Sequence, residues 1–171
     1  MWYFFYLVRS LDIAYYLTAL MLGVGSYLVL MNLQVGRRQR TVAALLITYV
    51  FLVMSVTVLS RDQLAVKTLI YSPFWKYREI LRGSEKTYSL ATEILLNILM
   101  LVPIGLLLPM LVKKYALLYG FLCCFCIECF QLVTRRGFFE VDDLLHNSLG
   151  VVIGYLLYLL LSRLFAGSKK K

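Results

Sequence analysis

The sequence has few charged residues, three prolines and a single histidine. Only 16% of its residues are charged and 61% are hydrophobic, whereas roughly a quarter of a soluble domain is charged. This composition excludes an ordinary soluble domain. The nucleophile elbow, the phosphate loop and the dinucleotide fingerprint of soluble enzymes are absent as well. We therefore predict no cofactor.

Cysteine is absent outside residues 123–129, where four cysteines occur in an apolar run. Such clustering does not suit the disulfide framework of a secreted domain. Cysteine behaves as a small apolar residue and fits helix–helix contacts. We interpret these four cysteines as structural.

The net charge of +9 is high for so apolar a chain. The basic residues flank apolar runs and form no single stripe, which argues against nucleic-acid binding. Positive charge beside apolar spans is typical of cytoplasmic membrane loops.

Apolar runs long enough to cross a bilayer, about 20 residues each, occur five times. The runs are 13–31, 41–60, 90–112, 115–134 and 144–165. The longest polar connection is the outer loop, residues 61–89. We predict an all-α, polytopic membrane helix bundle of about five transmembrane helices, with residues 1–171 as a single domain and the lipid bilayer as its partner.

The charges also predict an orientation. With the loop after the first span in the cytoplasm, every cytoplasmic segment carries basic residues and no acidic residue, which is the positive-inside pattern. The N-terminus is then outside and the C-terminus cytoplasmic. The basic residues concerned are Arg37, Arg38, Arg40, Lys113, Lys114, Arg163, Lys169, Lys170 and Lys171.

Polar residues interrupt the third and fourth runs at a similar depth. Glu128 lies about 9 Å below the outer end of the fourth span, and Gln131 follows it on the same helix face. In the third run, Glu93 and Asn97 form an i, i+4 pair, and Asn97 also lies about 9 Å deep. Pro103 predicts a kink below Asn97, serving either a cavity or packing alone.

The fifth run opens with an equally polar segment. Asp143 and Asn147 are four residues apart, and Gly150 and Gly154 continue their face as a pair that allows close helix approach. Arg136 precedes this span and can reach its carboxylates. An ionisable residue inside a span is by default a functional-site hypothesis.

We predict that these three spans form an outward-facing polar site. If the protein is an enzyme, Glu128 is the general base, Asp143 orients a partner or a cation, and Arg136 binds phosphate. The substrate-binding residues are Asn97, Gln131, Asn147 and Glu93. A polar network that only stabilises the bundle remains the alternative.

Over residues 58–158 the chain resembles the VanZ-like family of bacterial membrane proteins. The tail element from Arg136 to Gly150 is the most specific part. The remaining matches are Asn97, Pro103-x-Gly105, Glu128-x-x-Gln131, Arg61 and Pro73-Phe74. The family often has Asn-Leu shortly before that Pro-Phe, where Ile70 and Tyr71 stand here.

The resemblance implies a multi-pass protein of the bacterial cell membrane that reduces susceptibility to teicoplanin and related lipoglycopeptides. It adds Arg61 to the substrate-binding residues. It also implies a cell-envelope partner: a lipid-linked component, a cell-wall component or the lipoglycopeptide itself. It implies no settled reaction.

Three alternatives stay open. An enzyme using Mg²⁺ or Ca²⁺ could draw on oxygen ligands, although zinc spacing is absent and we predict no metal; the candidate ligands are His146, Asp142, Asp143, Glu128 and Glu140. A small transporter or flippase is the second alternative, although no pair of interrupted helices is visible. The third is a non-catalytic membrane partner. The sequence does not give the oligomeric state.

Overall fold

The computed structural model describes residues 11–168, which form six α-helices and one pair of two-residue strands. Five of these helices are long and apolar enough to cross a membrane, so the predicted all-α bundle of five spans is confirmed. The spanning helices are α1 (Ile13–Asn32), α2 (Arg37–Met54), α4 (Thr87–Leu107), α5 (Ala116–Thr134) and α6 (Val141–Ser168). The short α3 (Trp75–Leu81) lies in the outer loop. The N-terminus and the basic tail 169–171, both used to predict orientation, lie outside the described residues.

Helix ends depart from the apolar runs by a few residues. A π-helical turn, Ser55–Leu59, extends α2, and a 3₁₀ turn, Leu108–Met110, follows α4. The last helix begins at Val141, so Asp142 and Asp143 lie in its first turn. The positive end of the helix dipole stabilises carboxylates at that position. A count of apolar residues does not include this effect and therefore predicts a later start for the helix.

Helices α4 and α6 form the most extensive helix pair, and glycines make their close contact. A Cβ atom on Gly150 would lie 2.1 Å from the carbonyl oxygen of Ile98, and one on Gly154 would lie 2.0 Å from that of Val102. On α4, a Cβ atom on Gly105 would lie 2.1 Å from the carbonyl oxygen of Val151. These glycines therefore serve packing inside the chain.

The buried core lies beside this helix pair and includes Leu101, Ile104 and Cys124. All four cysteines are free. Pro103 lies inside α4, which continues past it to Leu107. Tyr49 of α2 donates a hydrogen bond of 2.8 Å to the carbonyl oxygen of Met100, next to the carbonyl that Pro103 leaves without its usual donor.

The outer loop folds onto the connection between α5 and α6. Strand β1 (Leu69–Ile70) pairs in parallel with β2 (Phe139–Glu140), with Leu69 opposite Phe139. The amide of Leu64 also donates to the carbonyl oxygen of Arg135 at 2.6 Å. This pairing places α3 against the polar ends of the third and fifth spans.

Candidate functional site

Lys76 of α3 lies among three carboxylates from three different elements. Its side chain is 0% exposed, and its Nζ lies 3.1 Å from Glu93 Oε1 on α4 and 3.2 Å from Glu140 Oε2 on β2. The same ammonium group donates a hydrogen bond to Asp143 Oδ1 on α6. Buried charges require such partners because removal from water is costly. We call Glu93, Glu140 and Asp143 the carboxylate cluster.

Asp142 determines where α3 begins. Its Oδ1 accepts a hydrogen bond from the amide of Phe74, and its Oδ2 accepts one of 3.1 Å from the amide of Lys76. The first amides of a helix lack partners within the helix, and a side-chain oxygen usually satisfies them. Here that oxygen comes from a distant helix. Phe74 has a left-handed backbone, with φ of 60°, which turns the chain into α3 at this point.

Burial and neighbouring charges together shift the pKa of Lys76 and the pKa of Glu140. Burial lowers the pKa of Lys76, but attraction to Asp143, Glu93 and Glu140 outweighs it, so this pKa is raised. Burial and repulsion by Asp143 raise the pKa of the Glu140 carboxyl, while Lys76 opposes that rise. Lys76 is therefore a fixed cation and not a free amine nucleophile.

A polar pocket of about 490 Å³ opens beside the carboxylate cluster. Among its lining residues are five of the eight predicted site residues: Arg61, Glu93, Gln131, Arg136 and Asp143. Trp75, Lys86 and Glu140 also line it, and the indole Nε1 of Trp75 donates to Glu140 Oε2 at 3.2 Å. The pocket therefore presents carboxylates, cations and an aromatic ring together.

Glu128 and Asn147 lie behind this pocket and do not line it. Glu128 is 1% exposed. Its Oε1 accepts a hydrogen bond of 3.1 Å from Asn147 Nδ2, and its Oε2 accepts one of 3.4 Å from the amide of Glu140. The Glu128 carboxylate thus connects α5 to α6 and to the strand that carries Glu140.

The other predicted residues have separate contacts. The guanidinium of Arg136 donates to the carbonyl oxygen of Leu59 at the end of the second span, and it forms no ion pair with a carboxylate within residues 11–168. Gln131 Nε2 donates to the carbonyl oxygen of Thr57 at 3.4 Å. Arg61 is exposed at the pocket. Asn97 is half-buried, away from the pocket lining, and has no hydrogen-bond partner among the described side chains and backbone.

Sequence reasoning missed Lys76, and it missed the role of Asp142 towards α3. It also missed the contact between the Tyr77 hydroxyl and His146 Nε2, which are 2.8 Å apart. The signal that could have revealed a buried cation such as Lys76 was the group of acidic residues at the outer ends of the spans, because buried carboxylates need a positively charged partner. Six basic residues of the outer loop could supply it: Arg61, Lys67, Lys76, Arg78, Arg82 and Lys86. The sequence does not distinguish among them.

The carboxylate cluster also bears on the metal alternative. One oxygen from each of its three members lies within 4.8 Å of the others, and carboxylate oxygens suit Mg²⁺ and Ca²⁺. The Lys76 ammonium group contacts all three. A metal ion at this position would therefore have to replace the Lys76 contacts.

One comparison with known proteins finds a match. The family model described as VanZ/LLP1 matches residues 42–162, a range that contains two of the five spans completely, most of two others and every residue of the polar pocket. No curated protein matches the chain, and no solved structure matches it. The match covers well over half of the sequence, and the chain therefore belongs to the VanZ/LLP1 family.

Proposed function

We propose that this membrane protein acts in the bacterial cell membrane and reduces susceptibility to teicoplanin and related lipoglycopeptides. It does so by binding or modifying a lipid-linked or surface component at the outer leaflet through the polar pocket. The observation that carries the proposal is the convergence of Glu93, Gln131, Arg136 and Asp143 on one open pocket at the end of the bundle.

The charge distribution supports an outward-facing pocket. Arg37 and Arg38 begin α2, and Lys113 and Lys114 lie in the turn between α4 and α5. These positions are at the opposite ends of the spans from the residues that line the pocket. Among the described residues, the loops at that end hold basic and no acidic residues, whereas the pocket end holds residues of both signs. The proposal therefore places the purely basic loops in the cytoplasm and the pocket outside.

The lining supports a ligand that carries both hydroxyl or amine groups and an anionic group. Glu93 and Asp143 can accept hydrogen bonds from hydroxyl or ammonium groups. Arg61 and Arg136 can donate to phosphate or carboxylate oxygens. In this proposal Asp143 contacts the bound component, while Glu128 positions the Glu140 backbone from behind.

The test is expression of the wild type and variants in a teicoplanin-sensitive host. Asp143→Asn and Glu128→Gln preserve shape and replace the carboxyl group with an amide, and we expect both to lose protection, measured as the minimum inhibitory concentration. Glu79→Gln is the matched control, because Glu79 pairs with Arg82 on the exposed side of α3. Full protection by both site variants, at membrane levels equal to the wild type, would contradict the proposal.

A further inference from the structure

Helix α3 has two faces of opposite character. Lys76 and Ile80 lie on the face that turns toward the bundle, and Lys76 is fully buried. Phe74, which directly precedes the helix, and Tyr77 and Leu81 within it are exposed, and Leu81 is 87% exposed. This segment therefore exposes three large aromatic or aliphatic side chains, a surface that water does not suit.

The contact with His146 gives the depth of this apolar face. The Tyr77 hydroxyl lies 2.8 Å from His146 Nε2, and His146 is five residues past Val141, or about 8 Å along α6. The candidate span Val141–Phe165 has 25 residues and measures about 37 Å, longer than the hydrocarbon core of about 30 Å. Tyr77 therefore reaches the boundary between headgroups and acyl chains.

The surroundings of α3 suit that depth. Its first amides are satisfied by the Asp142 carboxylate, as backbone groups near hydrocarbon must be satisfied within the protein. Leu145 and Leu149 adjoin His146 on α6 and are exposed, so the apolar face of α3 continues the lipid-facing surface of the bundle.

We propose that α3 is an interfacial membrane helix, with Phe74, Tyr77 and Leu81 against lipid acyl chains and with Arg78 and Arg82 on anionic lipid phosphates. Both arginines are exposed; Arg82 also pairs with Glu79, and Arg78 donates to the Ser72 hydroxyl, contacts that a lipid phosphate would share or replace. Amphipathic helices of this kind place aromatic and aliphatic residues at the acyl boundary and basic residues among the headgroups. This inference is independent of the pocket's ligand.

Brominated-lipid quenching of tryptophan fluorescence tests the depth. Full-length Leu81→Trp and Glu85→Trp proteins are reconstituted in vesicles of phosphatidylcholine and phosphatidylglycerol brominated near the headgroup end of the acyl chains, and the wild-type signal is subtracted. Both positions are exposed, and Glu85 lies in the turn above α3. We expect strong quenching at position 81 and little at position 85. Weak quenching at position 81 would overturn the proposal, because α3 would then face water or another protein.

A second comparison tests the arginines. Arg78→Gln and Arg82→Gln are combined in the Leu81→Trp protein, and Lys67→Gln in the same background is the control, since Lys67 is exposed elsewhere in the loop. We expect the paired change to reduce quenching in vesicles containing phosphatidylglycerol to the level seen in phosphatidylcholine alone. Unchanged dependence on phosphatidylglycerol would remove the anionic-lipid contact from the proposal.

Discussion

The pair formed by α4 and α6 is stabilised differently in its two halves. In the middle of the membrane the helices meet through Gly105, Gly150 and Gly154, where there is no room for a Cβ atom. Toward the pocket, Lys76 of α3 bridges Glu93 of α4 and Asp143 of α6. The first half depends on shape and the second on charge balance.

This difference determines which substitutions each half tolerates. A glycine contact fails when atoms are added, whatever their polarity. A buried ion cluster fails when one sign of charge is removed, even if volume is preserved. The two halves can therefore be perturbed separately by variants chosen for size or for charge.

The largest effect is expected from Lys76→Met, which keeps the volume and leaves the carboxylate cluster without its cation. We expect a loss of about 3 kcal/mol in the free energy of unfolding, at the lower end for a broken buried pair because Glu93 is partly exposed. Equilibrium unfolding in mixed micelles measures it. Arg82→Met is the control, because Arg82 forms an exposed pair with Glu79 and such pairs contribute little.

A further variant identifies charge as the cause. Adding Glu140→Gln to Lys76→Met removes one of the carboxylates left without a partner, and we expect part of the lost stability to return. If the double variant is less stable than Lys76→Met alone, the charge-balance account of this half is wrong.

In the other half, Gly150→Ala adds one methyl group 2.1 Å from the carbonyl oxygen of Ile98. We expect it to cost about 2 kcal/mol, because the added methyl group must push the two helices apart. Gly25→Ala in α1 is the matched control, since nothing lies within 4 Å of its Cβ position. There alanine should leave stability unchanged or raise it slightly, because it favours helix. Similar losses at both glycines would indicate a general effect of the substitution and not helix contact.

The two halves also differ in how well the sequence predicts them. The spans and the glycine pair depend on local patterns, so apolar length and the spacing of Gly150 and Gly154 are sufficient to predict them. The carboxylate cluster depends on contacts between Lys76 and residues more than sixty positions away. No periodicity in the chain encodes that pairing.

Arg136 illustrates the same limit. Its position before α6 indicated that it can reach the acidic residues of that helix. The structure places its guanidinium on the carbonyl oxygen of Leu59, with no carboxylate partner among residues 11–168, and Arg136 lines the pocket. The end of a helix offers carbonyl oxygens without partners, and which helix end lies nearby is a property of the fold.

A smaller effect is expected from Asp142→Asn, which tests charge without changing shape. The substitution turns one of the two carboxylate oxygens into an NH2 donor, so one of the two α3 amides that Asp142 now binds would face a donor in place of an acceptor. We expect a loss of about 1.5 kcal/mol from the weaker cap, measured by the same unfolding titration. Asp12→Asn provides the comparison, because Asp12 caps its own helix through one long bond of 3.4 Å. A smaller loss at Asp142 than at Asp12 would show that α3 does not depend on this carboxylate.

The smallest effect is expected from Tyr77→Phe, which removes the hydroxyl group facing His146 and keeps the ring. Losing one hydrogen bond to a buried partner should cost about 1 kcal/mol, and the more apolar ring offsets part of this cost at the acyl boundary. Tyr88→Phe is the control, because Tyr88 is 81% exposed at the start of α4 and should show no change. If Tyr77→Phe costs more than Lys76→Met, the outer half depends mainly on the Tyr77–His146 contact, and charge balance is secondary there.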